Sequence, residues 1–268
     1  NGSGITTVQN FHRDSHGYIW IGSSVNNLIR FDGTNFRYYD FTQFDTVHFR
    51  RSRGVFTFED RKQNLWVGTD VGSLFKYDRL NDTFTLANDS VTSPHARIYS
   101  FAEAPDGSFW LGSLGGGLIH FHPETKVFKQ YKAEQGNANS LPDNFICGLG
   151  YDEDGFLWVG TTSGLCSYDS KTDQFIPYSL NNNNPDDTYR YRVIRSLHHS
   201  GSKIYLGTYG GLQVFDRTTQ KSQHYIHNPN AKNSISHNSI FKVAETADNK
   251  FWIATFGGGL NMFDPVTQ

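Results

Sequence analysis

At 268 residues, with 37% hydrophobic residues, 15% aromatics and 26 Gly, the chain suits one large domain of short, aromatic-packed strands and not a helical bundle. A formal net charge of −2 supplies no global basic field to hold nucleic acid or an anionic membrane surface. No stretch approaches the roughly 20 apolar residues of a bilayer span, and Cys147 and Cys166 fall on strands that are not ladder neighbours, which reads as two separate thiols.

All five tryptophans fall in one repeated phrase, apolar-Trp-apolar-Gly-small. It runs Ile19-Trp20-Ile21-Gly22-Ser23, then Leu65-Trp66-Val67-Gly68-Thr69, Phe109-Trp110-Leu111-Gly112-Ser113 and Leu157-Trp158-Val159-Gly160-Thr161. A fifth copy carries Tyr205 in the Trp place, and a sixth, around Trp252, carries Ala254 in the Gly place. The spacing from Trp20 is 46, 44, 48, 47 and 47 residues. A period of about 40–50 residues rich in β-formers predicts a β-propeller of four-stranded antiparallel blades. Six repeats are placed at about 5–40, 54–86, 98–131, 145–178, 193–226 and 239–268.

The third repeat shows the unit. Strand A is Ile98 to Glu103, Pro105-Asp106-Gly107 makes a tight hairpin, and strand B is Phe109 to Gly112. Gly115-Gly116-Gly117 reverses the chain into strand C, Leu118 to Phe121, and strand D is Val127 to Tyr131. By the same register strands A begin near residues 6, 54, 98, 145, 193 and 240, and the sixth repeat ends before its outer strand. The expected molecule is therefore a fragment of a longer protein, of a seven-bladed or tandem propeller, with an edge left open or paired with another molecule. Trp20, Trp66, Trp110, Trp158, Tyr205 and Trp252 are read as structural residues that pack between blades, each ring beside the gap left by the Gly two residues on.

This combination of an Asp-Gly-like turn, apolar-Trp-apolar-Gly-Thr, Gly-Gly-Leu and aromatic-Asp resembles the two-component regulator propeller repeat over about residues 5–268. Phe31-Asp32-Gly33-Thr34-Asn35-Phe36 resembles the first repeat of such chains. The chain departs from the pattern at Tyr205, Ala254, Asn26-Asn27 and His122. The resemblance implies the periplasmic or extracellular sensor half of a bacterial membrane-bound regulator. A histidine kinase or diguanylate cyclase would lie elsewhere in the full-length protein, and membrane attachment would come through other segments. It also implies recognition of an oligosaccharide without catalysis.

In a propeller the D–A and B–C connections share one face. Here they carry Arg51, Arg53, Arg97, Asn144, Tyr189, Arg190, Tyr191, Arg192, Tyr209, His237, Asn238 and Phe256, the candidate ligand-binding set. Arg suits carboxylate or sulfate, aromatic rings suit a pyranose face, and amides suit hydroxyls, so an acidic sugar is the expected small-molecule partner. No nucleotide-binding, hydrolase or metal-protease motif appears, and no catalytic residue, metal or other cofactor is assigned. Two other readings stand beside the sensor. One is a protein-interaction scaffold that uses a blade face, and the other is a propeller lyase drawing on the loop histidines His48, His95, His227 and His237.

Overall fold

A computed structural model of the chain describes residues 8–23, 27–41, 54–87, 96–180 and 188–267. Blade one is β1 (Val8–Arg13), β2 (Ile19–Ser23), β3 (Asn27–Phe31) and β4 (Phe36–Tyr39); blade two is β5 (Gly54–Glu59), β6 (Leu65–Thr69), β7 (Leu74–Asp78) and β8 (Thr83–Leu86). Blade three is β9 (Arg97–Glu103), β10 (Phe109–Leu114), β11 (Leu118–His122) and β12 (Val127–Tyr131). Blade four is β13 (Ile146–Tyr151), β14 (Leu157–Thr161), β15 (Gly164–Asp169) and β16 (Gln174–Tyr178). The helix α1 (Thr188–Arg192) precedes blade five, made of β17 (Ile194–Ser200), β18 (Lys203–Thr208), β19 (Gly211–Asp216) and β20 (Lys221–Tyr225). Blade six is β21 (Ile240–Glu245), β22 (Phe251–Thr255) and β23 (Gly259–Phe263).

Five blades are four-stranded antiparallel meanders, and the sixth is a three-stranded sheet, as the register of the repeats implies. The chain is an all-β propeller with six blades. It divides into two compact units, Asn1–Gln130 and Tyr131–Gln268. Within each unit neighbouring A strands lie side by side, so β1 packs on β5 and β5 on β9, and β13 packs on β17 and β17 on β21.

The repeated phrase now has a physical meaning at each position. The Trp indole reaches the blade that follows: Trp20 meets Tyr77 edge-on at 4.9 Å, Trp66 meets Phe109 at 5.0 Å, and Trp158 lies 6.0 Å from Phe215. Tyr205 takes the same place by stacking on Phe251 at 3.8 Å. The Gly two residues on receives the Ile that opens the next A strand. A Cβ on Gly68 would lie 2.8 Å from Ile98, on Gly160 2.6 Å from Ile194, and on Gly207 2.7 Å from Ile240. The hydroxyl that follows closes the B–C turn: Ser113, Thr161, Thr208 and Thr255 donate to the carbonyls of Gly117, Gly164, Gly211 and Gly259 at 2.8–2.9 Å.

Trp110 is buried, as expected, and stacks on His120 at 4.1 Å with an angle of 2°. Trp252 departs from the expectation of a buried core residue, because 41% of it is exposed. It follows Phe251 on the strand and therefore points to the opposite face. Blade five covers Phe251, whereas Trp252 is flanked by its cross-strand neighbours Ala244 and Met262. No further blade of the second unit lies on that face among the described residues, so the indole stays half in solvent.

Candidate ligand-binding site

On the second unit, the D–A connection between blades five and six, the B–C turn of blade five and α1 together wall a cavity of about 570 Å³. Its lining includes Arg190, Tyr209, His227, His237, Asn238 and Ser239. That volume falls in the range that takes a small-molecule ligand.

Local hydrogen bonds build this wall. The connections Ala133–Asn144 and His227–Asn238 fold alike. In each, the closing Asn accepts the backbone N–H of the opening residue, Asn144 from Ala133 at 2.8 Å and Asn238 from His227 at 2.6 Å. A central Ser hydroxyl accepts a second N–H: Ser140 from Glu134 at 3.0 Å and Ser234 from Asn228 at 2.9 Å. Leu141 and Ile235 bury themselves as plugs beneath the loops. The cavity rim is thus held in shape by its own main chain.

The two histidines present opposite faces. His227 Nδ1 lies 2.8 Å from the Ile235 carbonyl, so that nitrogen carries a proton and Nε2 is the acceptor whenever the ring is uncharged. His237 Nδ1 accepts the Ser239 N–H at 3.0 Å, so its Nε2 carries the proton and donates. An acceptor, a donor, the amide of Asn238, a phenol and a guanidinium around one cavity match a polyhydroxylated ligand.

Of the residues expected from sequence, Arg190, Tyr209, His237 and Asn238 come together here. Phe256 lies close by: it is 63% exposed, its N–H donates to the Ser239 carbonyl at 2.8 Å, and its ring is 5.7 Å from Phe241. Tyr191 serves packing instead, because its ring occupies the space where a Cβ on Gly210 would come within 2.6 Å, and it meets His224 edge-on at 5.2 Å. Arg192 is exposed at the end of α1. Asn144 holds its own loop by accepting the Ala133 N–H, and that loop lines a separate surface depression with Glu134 and Leu141. Arg97 belongs to the first unit, where it donates to Gln9 at 2.5 Å and lies over Tyr99 at 5.9 Å. Arg51 and Arg53 lie outside the described residues, as does the Tyr189 side chain.

Ser239, Arg195 and Phe241 were not singled out from sequence. Arg195 and Phe241 are extra residues in β-bulges: the pairing skips between Ile194 and Ser196, and between Ile240 and Lys242. The same skip occurs at Gln9, Val55, Tyr99 and Cys147. An apolar or small residue followed by one of any chemistry, 12 or 13 residues before the motif Gly or Ala254, was the available signal.

The chemistry of hydrolysis or elimination finds little support in the described residues. No group of three or more His, Cys, Asp or Glu side chains is placed to hold a metal. Burial pushes the Cys147 thiol up to about 11, although the Arg195 charge pulls the other way, so it is no thiolate at neutral pH. Asp106, Ser108 and His120 lie in a line, but the buried Ser108 hydroxyl donates to Asp106 at 2.6 Å and so accepts from His120 at 2.7 Å. That order is the reverse of an activated nucleophile.

Comparison with known proteins agrees with the repeat. Residues 140–163 match the family model described as "Two component regulator propeller". A curated relative, "Histidine kinase P4" of Formosa agariphila, is 31% identical over 105 residues, which are 38% of this chain and 8% of that protein. Among solved structures, the extracellular domain of BT4673 from B. thetaiotaomicron, described as a hybrid two component system, aligns over 98% of this chain and 39% of its own, at 22% identity and a TM-score of 0.60. PorZ of Porphyromonas gingivalis aligns over 98% and 39% at 18% identity and a TM-score of 0.73. Virginiamycin B lyase from Staphylococcus aureus aligns over 97% and 85% at 10% identity and a TM-score of 0.69, a likeness of fold. The match places a two-component regulator propeller repeat at residues 140–163, and the solved structures share the propeller fold. The chain spans 8% of the curated relative and 39% of BT4673.

Proposed function

We propose that this propeller is the ligand-binding part of a sensor in a bacterial membrane-bound regulator, exposed on the periplasmic or extracellular side, and that its ligand is an oligosaccharide. The observation that carries this reading is the cavity of the second unit. Its imidazole and amide side chains are fixed by hydrogen bonds to the main chain, Tyr209 and Arg190 complete the wall, and no activated nucleophile or metal cluster lies among the described residues. The repeat family and the extracellular domain of BT4673 support the sensor class. Kinase or cyclase output would belong to the full-length protein.

A scaffold reading draws on one feature, the exposed apolar face of blade six with Trp252, Leu260 and Met262. A lyase reading would need a general base in the cavity. His227, with Nδ1 held by the Ile235 carbonyl, is the candidate for that role, whereas His237 accepts the Ser239 N–H at Nδ1 and presents a donor. Incubating the protein with defined oligosaccharides and separating bound from free by chromatography, followed by mass analysis of the sugar, discriminates the three. Retention of an intact sugar supports the sensor. Release of a cleaved sugar establishes an enzyme, and retention of none, with a protein partner captured through Trp252, establishes a scaffold.

A further inference from the structure

We infer that Arg195 is the anion anchor of the site, and that the ligand presents a carboxylate or sulfate to it. The inference rests on the oligosaccharide reading above and names the chemical class of the sugar. Arg195 is the extra residue of the β17 bulge. A bulge turns one side chain out of the alternation of its strand, which is how a residue on an interior strand comes to be re-aimed.

The guanidinium carbon lies 3.6 Å from the ring centroid of Phe241 and 5.1 Å from that of Tyr209. Both contacts are with aromatic rings and engage no hydrogen-bond acceptor. The guanidinium N–H edges, which carry the fork that grips carboxylate or sulfate, make no hydrogen bond or ion pair with any described residue. Other arginines of the molecule are used differently. Arg79 is bound to Asp14 and Glu59, Arg217 to Asp152 and Asp154, and Arg30 to Asp82. The nearby acid of blade four, Asp143, is occupied by the hydroxyls of Thr162 at 2.5 Å and Ser163 at 2.9 Å.

Arg195 is also continuous with the cavity. Tyr209 belongs to both, and Phe241 leads through Phe256 to Ser239 of the cavity wall. Tyr209, Phe241 and Phe256 are each at least 39% exposed, a costly display of aromatic surface around one unpaired cation. An anionic sugar would lay its ring on these aromatics and its charge on the open edge of Arg195.

Titration calorimetry of wild type, Arg195→Gln and Arg195→Lys against a galacturonate trisaccharide, a sulfated galactose trisaccharide and neutral galactotriose tests this. The expected result is a ten- to hundred-fold loss of affinity for at least one anionic trisaccharide in Arg195→Gln, partial recovery in Arg195→Lys, and unchanged weak binding of galactotriose. Equal loss for charged and neutral sugars, or no loss, overturns it. The two anionic arms tell a carboxylate from a sulfate ligand. Should none of the three sugars bind, the oligosaccharide reading falls, and the anchor is judged by titrating sodium sulfate while following the Arg195 side-chain Nε–H resonance. A saturable shift keeps the anion site, and no shift ends it. Circular dichroism and a thermal midpoint establish that each variant is folded.

Discussion

The indole Nε1 of Trp20 donates to Asp14 Oδ2 at 2.8 Å, and the carboxylate is fully buried. Six residues separate the two, across the A–B hairpin. Trp66 and Asp60 repeat the bond at 2.9 Å, and Trp158 and Asp152 at 2.7 Å. Each Trp is therefore tied to its own hairpin while its ring fills the next blade. The same carboxylates reach forward as well: Arg79 of blade two holds Asp14 at 2.8 Å, and Arg217 of blade five holds Asp152.

Removing the carboxylate strands the indole and weakens the hold on Arg79. Asp14→Ala leaves a buried indole N–H without its acceptor and Arg79 with Glu59 alone, and should cost about 3–5 kcal/mol in chemical denaturation. Glu124→Ala removes an ion pair with Lys62 in which both side chains are largely exposed, and should cost under about 1 kcal/mol. Comparable losses for the two would show that the clasp between blades is not what stabilises the first unit.

Acid should find the same carboxylates. Burial raises the Asp14 pKa, but the hydrogen bonds from Trp20 and Arg79 and the Arg79 charge outweigh it and hold the group below the ordinary carboxylate value. Asp82 behaves alike: burial raises it, while Tyr39, Tyr77, Arg30 and Arg37 lower it further. A group depressed in the fold contributes stability above its unfolded pKa, about 3.9, and loses it as pH falls through the folded value. The thermal midpoint should hold between about pH 5 and 7 and drop steeply below about pH 4. In Asp82→Asn it should start lower at neutral pH and fall less with acid. An unchanged acid slope in that variant would contradict the assignment.

The two classes of tryptophan should separate by mutation. Trp66→Ala empties a packed site beside Phe109 and Phe121 and should cost about 3–5 kcal/mol. Trp252→Ala, at 41% exposure, should cost below about 1.5 kcal/mol. Fluorescence should agree, with an acrylamide-accessible Trp252 in wild type that disappears in Trp252→Phe.

Much of this was legible in the sequence because a repeat states each structural rule several times. The Trp-x-Gly pair, the short turns and the three strands of the sixth repeat follow from spacing alone. The Asp six residues before Trp was equally visible at Asp14, Asp60 and Asp152 and went unread, since the tryptophan was treated as a purely apolar group. Trp252 was misjudged because burial belongs to the neighbouring blade and not to the phrase. Of the candidate set, Arg190, Tyr209, His237 and Asn238 lie on loops that meet at one cavity. Arg195 stayed hidden, because a strand residue is read as alternating in or out, and only the bulge turns it aside.

The thiols offer a check on local burial. The Cys166 side chain is fully buried between the strands of blade four, and burial pushes its pKa upward, as it pushes Cys147 to about 11. At pH 8 both should react with an aromatic disulfide reagent far more slowly than in the denatured chain, and both should be counted once the chain unfolds. Rapid native labelling of Cys147 would mean that the Arg195 charge, and not burial, governs it.

The central claim is that the cavity of the second unit recognises a sugar, and calorimetry on paired variants tests it most directly. Wild type, Tyr209→Ala and Arg190→Ala should be titrated with the oligosaccharide that the wild type retains, with Arg61→Ala on the first unit as the control. Loss of one stacking or charge-assisted contact is expected to weaken binding by about 1.5–3 kcal/mol, roughly ten- to a hundred-fold, in each cavity variant, and to leave the control unchanged. Wild-type affinity in both cavity variants would contradict the assignment of this cavity as the sensor site.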